Sequence, residues 1–472
     1  MQDEASAEIA IPAIEGLTPP SETSSALNIF YADRKRMWSN VLWITFGHFG
    51  TALSMTIVEP LMTLRLKAVG VSESSVGLLV SMNLWAVSFL VMYFSWKSDH
   101  TTSRLGRRTP FTLLALPFIA VALVLFPLST QKWLLIALML TYFFFNDMKA
   151  STYPLLAIDC VSKEILARVS GLVAITISLA GFLSTRLGAK MADAHPRGVF
   201  FAAAALMSSM TLIALWRIKE PPVYHPATSG FNLLAPIRIA CRDKRILVLI
   251  VAVALLHAFP MIFKTWVWFY AKSKLGLTVG DTGVAMSWGL LLQVGFSYPA
   301  GWLIDRFGSY LALCIQWVIM LILVLSAIHV TNSHGLILLM SLYFLCLPLE
   351  VAGDTILWKI MDKADTGSYT STVALVRNFS TGTVIAISGF LIKWTGSYIV
   401  AFWFGFGLSS IALIVFFVYR RLIRNGRGVI DSAASEGEPR TIEKPDLDPG
   451  VTPAAGSEMR RLSHATARWR TS

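Results

Sequence analysis

The feature that most constrains this chain is a series of apolar stretches, each about as long as a lipid bilayer is thick. A helix needs about 20 apolar residues to cross the hydrocarbon core. Twelve such runs can be placed, near 39–64, 74–97, 110–128, 132–158, 165–189, 197–216, 246–271, 281–302, 310–329, 334–360, 369–393 and 397–419. The sequence is 55% hydrophobic and only 14% charged, more apolar surface than a soluble core of 472 residues can hide. The runs exceed barrel-strand length and lack strict alternation, so helices must satisfy the backbone. The expected fold is an all-α membrane protein of twelve transmembrane helices in two pseudo-symmetric six-helix bundles.

The pairing of bundles rests on an internal repeat. Arg104 and Gly106 lie between two apolar runs, and Arg306 and Gly308 occupy the same place about 200 residues later. Asp147 corresponds to Glu350, and Asp159 to Asp362; Gly181-Phe182-Leu183 with Gly188 corresponds to Gly389-Phe390-Leu391 with Gly396. The expected division is a disordered segment over 1–35, a bundle over 36–216, a linker over 217–245, a second bundle over 246–420 and a loose tail over 421–472. The linker carries Pro221, Pro222, Pro226 and Pro236, and suits an amphipathic surface helix over 233–245.

A net charge of +12 suggests nucleic acid at first sight, but its placement points to topology. Arg34-Lys35-Arg36, Arg107-Arg108, Lys244-Arg245 and Arg420-Arg421 all fall on one side of the runs, whereas the other side carries fewer, scattered charges such as Arg65, Lys132 and Lys272. That asymmetry predicts a multi-pass protein of the cell membrane with both termini cytoplasmic. Anionic headgroups are the expected partners of the excess charge, and nucleic acid is not. The first 30 residues are polar and acidic and do not read as a cleavable signal peptide. Cys160, Cys241, Cys314 and Cys346 have no pairing or ligand spacing and read as reduced packing residues.

Gly301-Trp302-Leu303-Ile304-Asp305-Arg306-Phe307-Gly308 resembles the loop signature of the major facilitator superfamily. The first half carries a longer version, Ser98-Asp99-His100-Thr101-Thr102-Ser103-Arg104-Leu105-Gly106-Arg107-Arg108-Thr109-Pro110-Phe111. Its ending is similar to that of the sugar:cation symporters of the glycoside–pentoside–hexuronide group and the sucrose carriers. Ser95 stands where the signature usually opens with glycine. The resemblance implies a carrier fold over roughly 36–420 and a coupling acid in the fourth helix. Physically, an Asp–Arg pair at the inner surface can join neighbouring helices in one state and release them in another. The expected inner gate is Asp99, Arg104, Gly106, Arg107 and Arg108, with Asp305, Arg306 and Gly308; Asp99–Arg104 and Asp305–Arg306 are the expected pairs. Arg107 and Arg108 read equally as basic topology anchors.

A charge at the bilayer centre costs about 2.5–3.5 kcal/mol on the insertion scale, so it must be paired, protonated or wet. Asp147 follows three phenylalanines in the fourth run, which desolvate it and suit it to loading and releasing a proton; it reads also as a structural carboxyl satisfied by a neighbouring helix. Glu350 and Asp354 share one helix face, where Arg377, a structural network or a Na⁺ ion could relieve their repulsion. His48, Thr51, Met55 and Glu59 form a stripe on the first run, before Pro60, and His257 is the counterpart of His48. Asp147, Glu350, Asp354 and Glu59 are therefore the proton-coupling candidates. Candidate cavity residues are His48, Thr51, Asn83, Asn146, His257, Lys264, Trp266, Gln293, Arg377 and Asn378. Trp268 and Tyr270 read as part of an outer aromatic belt.

No nucleotide-binding glycine run, metal-ligand cluster or nucleophile–base set appears. Neither cofactor, metal nor covalent catalysis is therefore expected. The leading reading is a monomeric secondary carrier, working by alternating access and coupling proton binding to symport of a small neutral solute, a sugar or glycoside first. The aromatic and amide side chains also fit a drug, a nucleoside or a peptide. The alternatives are a proton-driven exporter of the same fold and a non-transporting membrane sensor or assembly protein.

Overall fold

The computed structural model describes residues 33–161, 165–221, 238, 244–358 and 366–435. The first helices are α1 (Arg34–Ala68), α2 (Glu73–Asp99), α3 (Thr109–Leu128), α4 (Lys132–Cys160), α5 (Val169–Ala194) and α6 (Pro196–Arg217). The second set is α7 (Ile246–Lys274), α9 (Ser309–His329), α10 (Ser333–Leu357) and α11 (Thr372–Thr395), with α8 (Val279–Phe307) and α12 (Tyr398–Ser435). Most of the expected linker and tail, together with Asp362, lie outside the described residues.

Eleven helices among the described residues are long and apolar enough to cross a membrane. The twelfth expected run, α8, forms a helix of 29 residues, long enough to cross, but it is diluted by polar and small residues such as Asp281, Ser287, Gln293 and Asp305. The last helix runs past its expected end near 419 to Ser435.

Residues up to Tyr419 form one compact unit. Within it, helices of the first lobe (α1–α6) meet helices of the second (α7–α12) through small residues. A Cβ added at Gly389 on α11 would lie 2.9 Å from the Glu73 carbonyl and 3.3 Å from the Gly77 Cα of α2. One added at Gly283 on α8 would collide with Ala189 and the Thr185 carbonyl of α5. Without a hydrophobic drive between helices in lipid, such close backbone approach supplies the association energy.

Among the described residues, the joints run from one end of the interface to its middle. Lys67, Glu73 and Tyr398 meet at that end, as do Asp193 and Gly280. The Trp85 indole donates to the Phe379 carbonyl (3.2 Å) and the Thr383 hydroxyl (3.3 Å) near the middle. Among the described residues, no hydrogen bond, ion pair or ring contact joins the lobes at the other end, which carries Asp99–Arg108 and Asp305–Gly308. We call the joined end outer and the other inner, following the charge asymmetry.

Candidate functional site

The intramembrane polar residues gather on α1, α4, α7, α10 and α11. The expected stripe on α1 is real: His48, Thr51, Met55 and Glu59 are all half-buried on one face. On α7, the long stretch from Phe259 to Ala271 is buried except for Met261, Lys264 and Thr265. With His257 these form a single face at helical spacing, less covered than the rest of the helix. Glu59 and Lys264 lie on opposite lobes and act on each other electrostatically.

Antiparallel α1 and α4 form a polar ladder. The Tyr153 hydroxyl donates to the Ile44 carbonyl (3.0 Å), and the Tyr153 ring meets that of His48 edge-on. One helical turn on, the Lys149 ammonium donates to the Thr51 hydroxyl. Lys149 is only 2% exposed, and no carboxylate among the described residues reaches it within ion-pair distance. Farther along, the Asn146 Oδ1, the Tyr142 hydroxyl and Asp147 Oδ2 are buried without a hydrogen-bond partner. Buried polar atoms are normally bonded, so this group of three is an exception that calls for a function.

Asp147 also lines a cavity of about 400 Å³ between α2 and α4, with Asn83, Phe143 and Phe144. The phenylalanines make its wall apolar, as the run before Asp147 implies. A carboxyl that a small cavity reaches, yet that nothing among the described residues bonds, is available to a proton or to a solute hydroxyl.

The second lobe treats its acids differently. His257 Nδ1 pairs with Glu350, and Arg377 reaches Asp354 at 3.9 Å. Arg377 therefore faces one carboxylate of the pair and His257 the other. The two histidines are counterparts in position but not in bonding: His48 faces a lysine, His257 a carboxylate. Gln293 and Asn378 are half-buried.

Trp266 is not a cavity residue. It is fully buried, and its indole donates to the Ser388 hydroxyl at 2.8 Å. Trp268 and Tyr270 are buried as well, and Tyr270 donates to the Ala327 carbonyl (2.6 Å). The expected outer belt is thus packing between helices; α7 is central, so its aromatics meet protein rather than headgroups.

The inner loop of the first lobe forms a dense ionic cluster, with different partners from those expected. Asp99 pairs with Arg108 (2.6 Å) and Arg107 (3.4 Å), not with Arg104, which is exposed and has no ion-pair partner among the described residues. Gly106, at φ +100°, turns the chain back so that its two successors face Asp99 and Asp159. Glu220, just past α6, accepts from the backbone N–H groups of Arg107 (2.9 Å) and Thr109 (3.1 Å) and from the Thr109 hydroxyl (2.6 Å). It thereby satisfies orphan donors at the start of α3. Neither Asp159 nor Glu220 was among the expected gate residues; a lone acid just beyond an apolar run was the available signal. In the second lobe, Asp305 and Arg306 are exposed and do not pair, and Arg306 instead lies over the rings of Trp302 (5.2 Å) and Phe307 (5.7 Å). Adjacent residues on a helix point apart, so Asp305 and Arg306 could not bond each other there.

No curated protein sequence matches the chain. Among solved structures, it is similar to the nucleoside transporter NupG, with 13% identity, a TM-score of 0.67, and coverage of 81% of this chain and 98% of that one. It is also similar to a bacterial homolog of the human lysosomal transporter Spinster, in an inward-facing and occupied conformation, with 11% identity, a TM-score of 0.61, and coverage of 83% and 97%. At such identities the likeness shows a shared fold. The family profile of the Major Facilitator Superfamily matches residues 44–358, two lobes joined at one end agree with it, and the chain belongs to that superfamily.

Proposed function

We propose that this protein is a proton-coupled symporter of a small, neutral, hydroxyl-rich solute, a sugar or glycoside. The observation that carries the reading is the accessible polar face on α1 and α7, set between lobes joined from the outer end to the middle. Alternating access needs such a face, since solute and proton must reach it from one side at a time. Asp147 is the coupling acid in this reading, with Glu59 beside it. Asn83, Thr51, Gln293 and Asn378 are the neutral groups suited to hydroxyls. The lobes belong to one chain, so a monomer suffices, and both termini lie in the cytoplasm of a cell-membrane protein.

The test is uptake into proteoliposomes. Radiolabelled sucrose and uridine are offered with the outside acidic, with no gradient, and with the inside acidic. Accumulation of sucrose only with the outside acidic supports the proposal. Uridine accumulation alone would move the solute class to nucleosides. Extrusion of preloaded solute driven by inward proton flow would replace symport by export, and no gradient-dependent movement of either solute would refute the reading.

A further inference from the structure

We propose that Asp193 and Tyr398 form a two-point clasp that holds the outer end of the carrier closed, one on each flank of the interface between the lobes. The inference rests on the alternating-access reading and gives its outer gate specific residues.

On one flank, the turn between α1 and α2 meets the start of α12. Lys67 and Glu73 pair at 2.7 Å, Lys67 bonds the Tyr398 hydroxyl, and that hydroxyl lies 3.4 Å from Glu73 Oε1. The ammonium also sits over the rings of Tyr398 (5.1 Å) and Phe269 (5.5 Å). The first lobe supplies both charges and the second supplies the hydroxyl and the rings, so the cluster is complete only when the lobes are together.

On the other flank, Asp193 near the end of α5 accepts from the backbone N–H groups of Val279 (3.2 Å) and Gly280 (2.8 Å). These open α8, in the opposite lobe. The first N–H groups of a helix lack intrahelical partners and carry the positive end of its dipole. Thr278 and Asp281 satisfy part of that end through a capping box, and a carboxylate from the other lobe completes it. Gly280 makes the approach possible, because a Cβ there would collide with the Asp193 carboxylate.

Both contacts are charge-assisted and lie where water and salt can replace them. Each is a modest tie that can break when the lobes rock. Both ties form only when the lobes meet at this end, so the clasp favours the outer-closed state.

The experiment needs no solute. Spin labels are placed at Gln131 and Thr331, on exposed outer turns of opposite lobes, in full-length protein with Cys160, Cys241, Cys314 and Cys346 replaced by alanine, and distances are measured in lipid nanodiscs. The parent shows a predominant short-distance population and a minor long-distance one. Combining Asp193→Ala with Tyr398→Phe raises the long-distance fraction about fivefold, the response expected when a two-state balance loses differential contacts. Gly280→Ala, which displaces the carboxylate, shifts it the same way. Tyr398→Phe alone keeps the test available if the double variant aggregates. Unchanged distributions in monodisperse variants would overturn the clasp. Because the readout is distance, failure of the clasp is separable from failure of transport.

Discussion

Arg108 and Asp159 meet at 3.2 Å through Nε and Oδ2, with 5% and 3% of their side chains accessible. The contact ties the start of α3 to the end of α4, and Asp99 and Arg107 extend it to α2. It makes the inner end of the first lobe a single block.

Removing one partner of a buried pair leaves an uncompensated charge and costs about 3–5 kcal/mol. Asp159→Asn is therefore expected to lower the melting temperature of detergent-purified protein markedly. Arg104→Gln, at an exposed position without an ion-pair partner among the described residues, should leave it within error of the parent. Thermal unfolding of the two variants side by side checks this; equal melting temperatures would count against the cluster as a structural unit.

Asp147→Asn preserves shape but cannot carry a proton. We expect gradient-driven accumulation to fall to the leak level while solute exchange at equal pH continues. The paired measurement separates a lost coupling acid from a lost fold, since a misfolded carrier loses both. Persistence of gradient-driven accumulation would remove Asp147 from the coupling role.

Gly389 admits nothing larger, with the Glu73 carbonyl and Gly77 Cα against it. Gly389→Val should force α2 and α11 apart and destabilise the outer-closed state by about 1–3 kcal/mol, the usual range for overpacking. The expected signature is a longer distance between outer-end labels together with slower uptake. Retention of the parent distance would show that the crossing relaxes without strain.

Trp266 offers a test that separates packing from recognition. Trp266→Ala should cost about 3–5 kcal/mol of stability as a large buried aromatic. Trp266→Phe, which loses the bond to Ser388 and the part of the indole that packs near Gly77 and Gly389, should leave KM for any transported solute unchanged. A large KM change with the phenylalanine variant would return Trp266 to the binding site.

The helices were legible because each apolar run had to cross a bilayer, and no tertiary contact alters that requirement. The stripe of His48, Thr51 and Glu59 was legible for the same reason: polar residues at helical spacing cannot all face lipid. Partner choice was not legible. Asp99 bonds Arg107 and Arg108 rather than Arg104 because Gly106 reverses the chain, a fact of backbone direction. Glu220 joins the cluster from more than a hundred residues away. Trp266 was misread as cavity lining, and Trp268 and Tyr270 as an interfacial belt, because both draw on the same aromatic residues as a packed central helix. Lys149 was visible as a charge in an apolar run, but its hydroxyl partner on α1 depends on the register of two antiparallel helices.

Gly106 and Gly308 share a left-handed backbone, with φ of +100° and +90°, although the side chains around them no longer share a bonding scheme. A glycine there is the one residue type that adopts this conformation freely, so replacing it would disturb the chain path before any ionic contact was considered. Handedness is therefore common to the two halves of this molecule at these loops, where charge pairing is not. A search for remote copies of either half would do better to weigh the glycine than the arginines beside it.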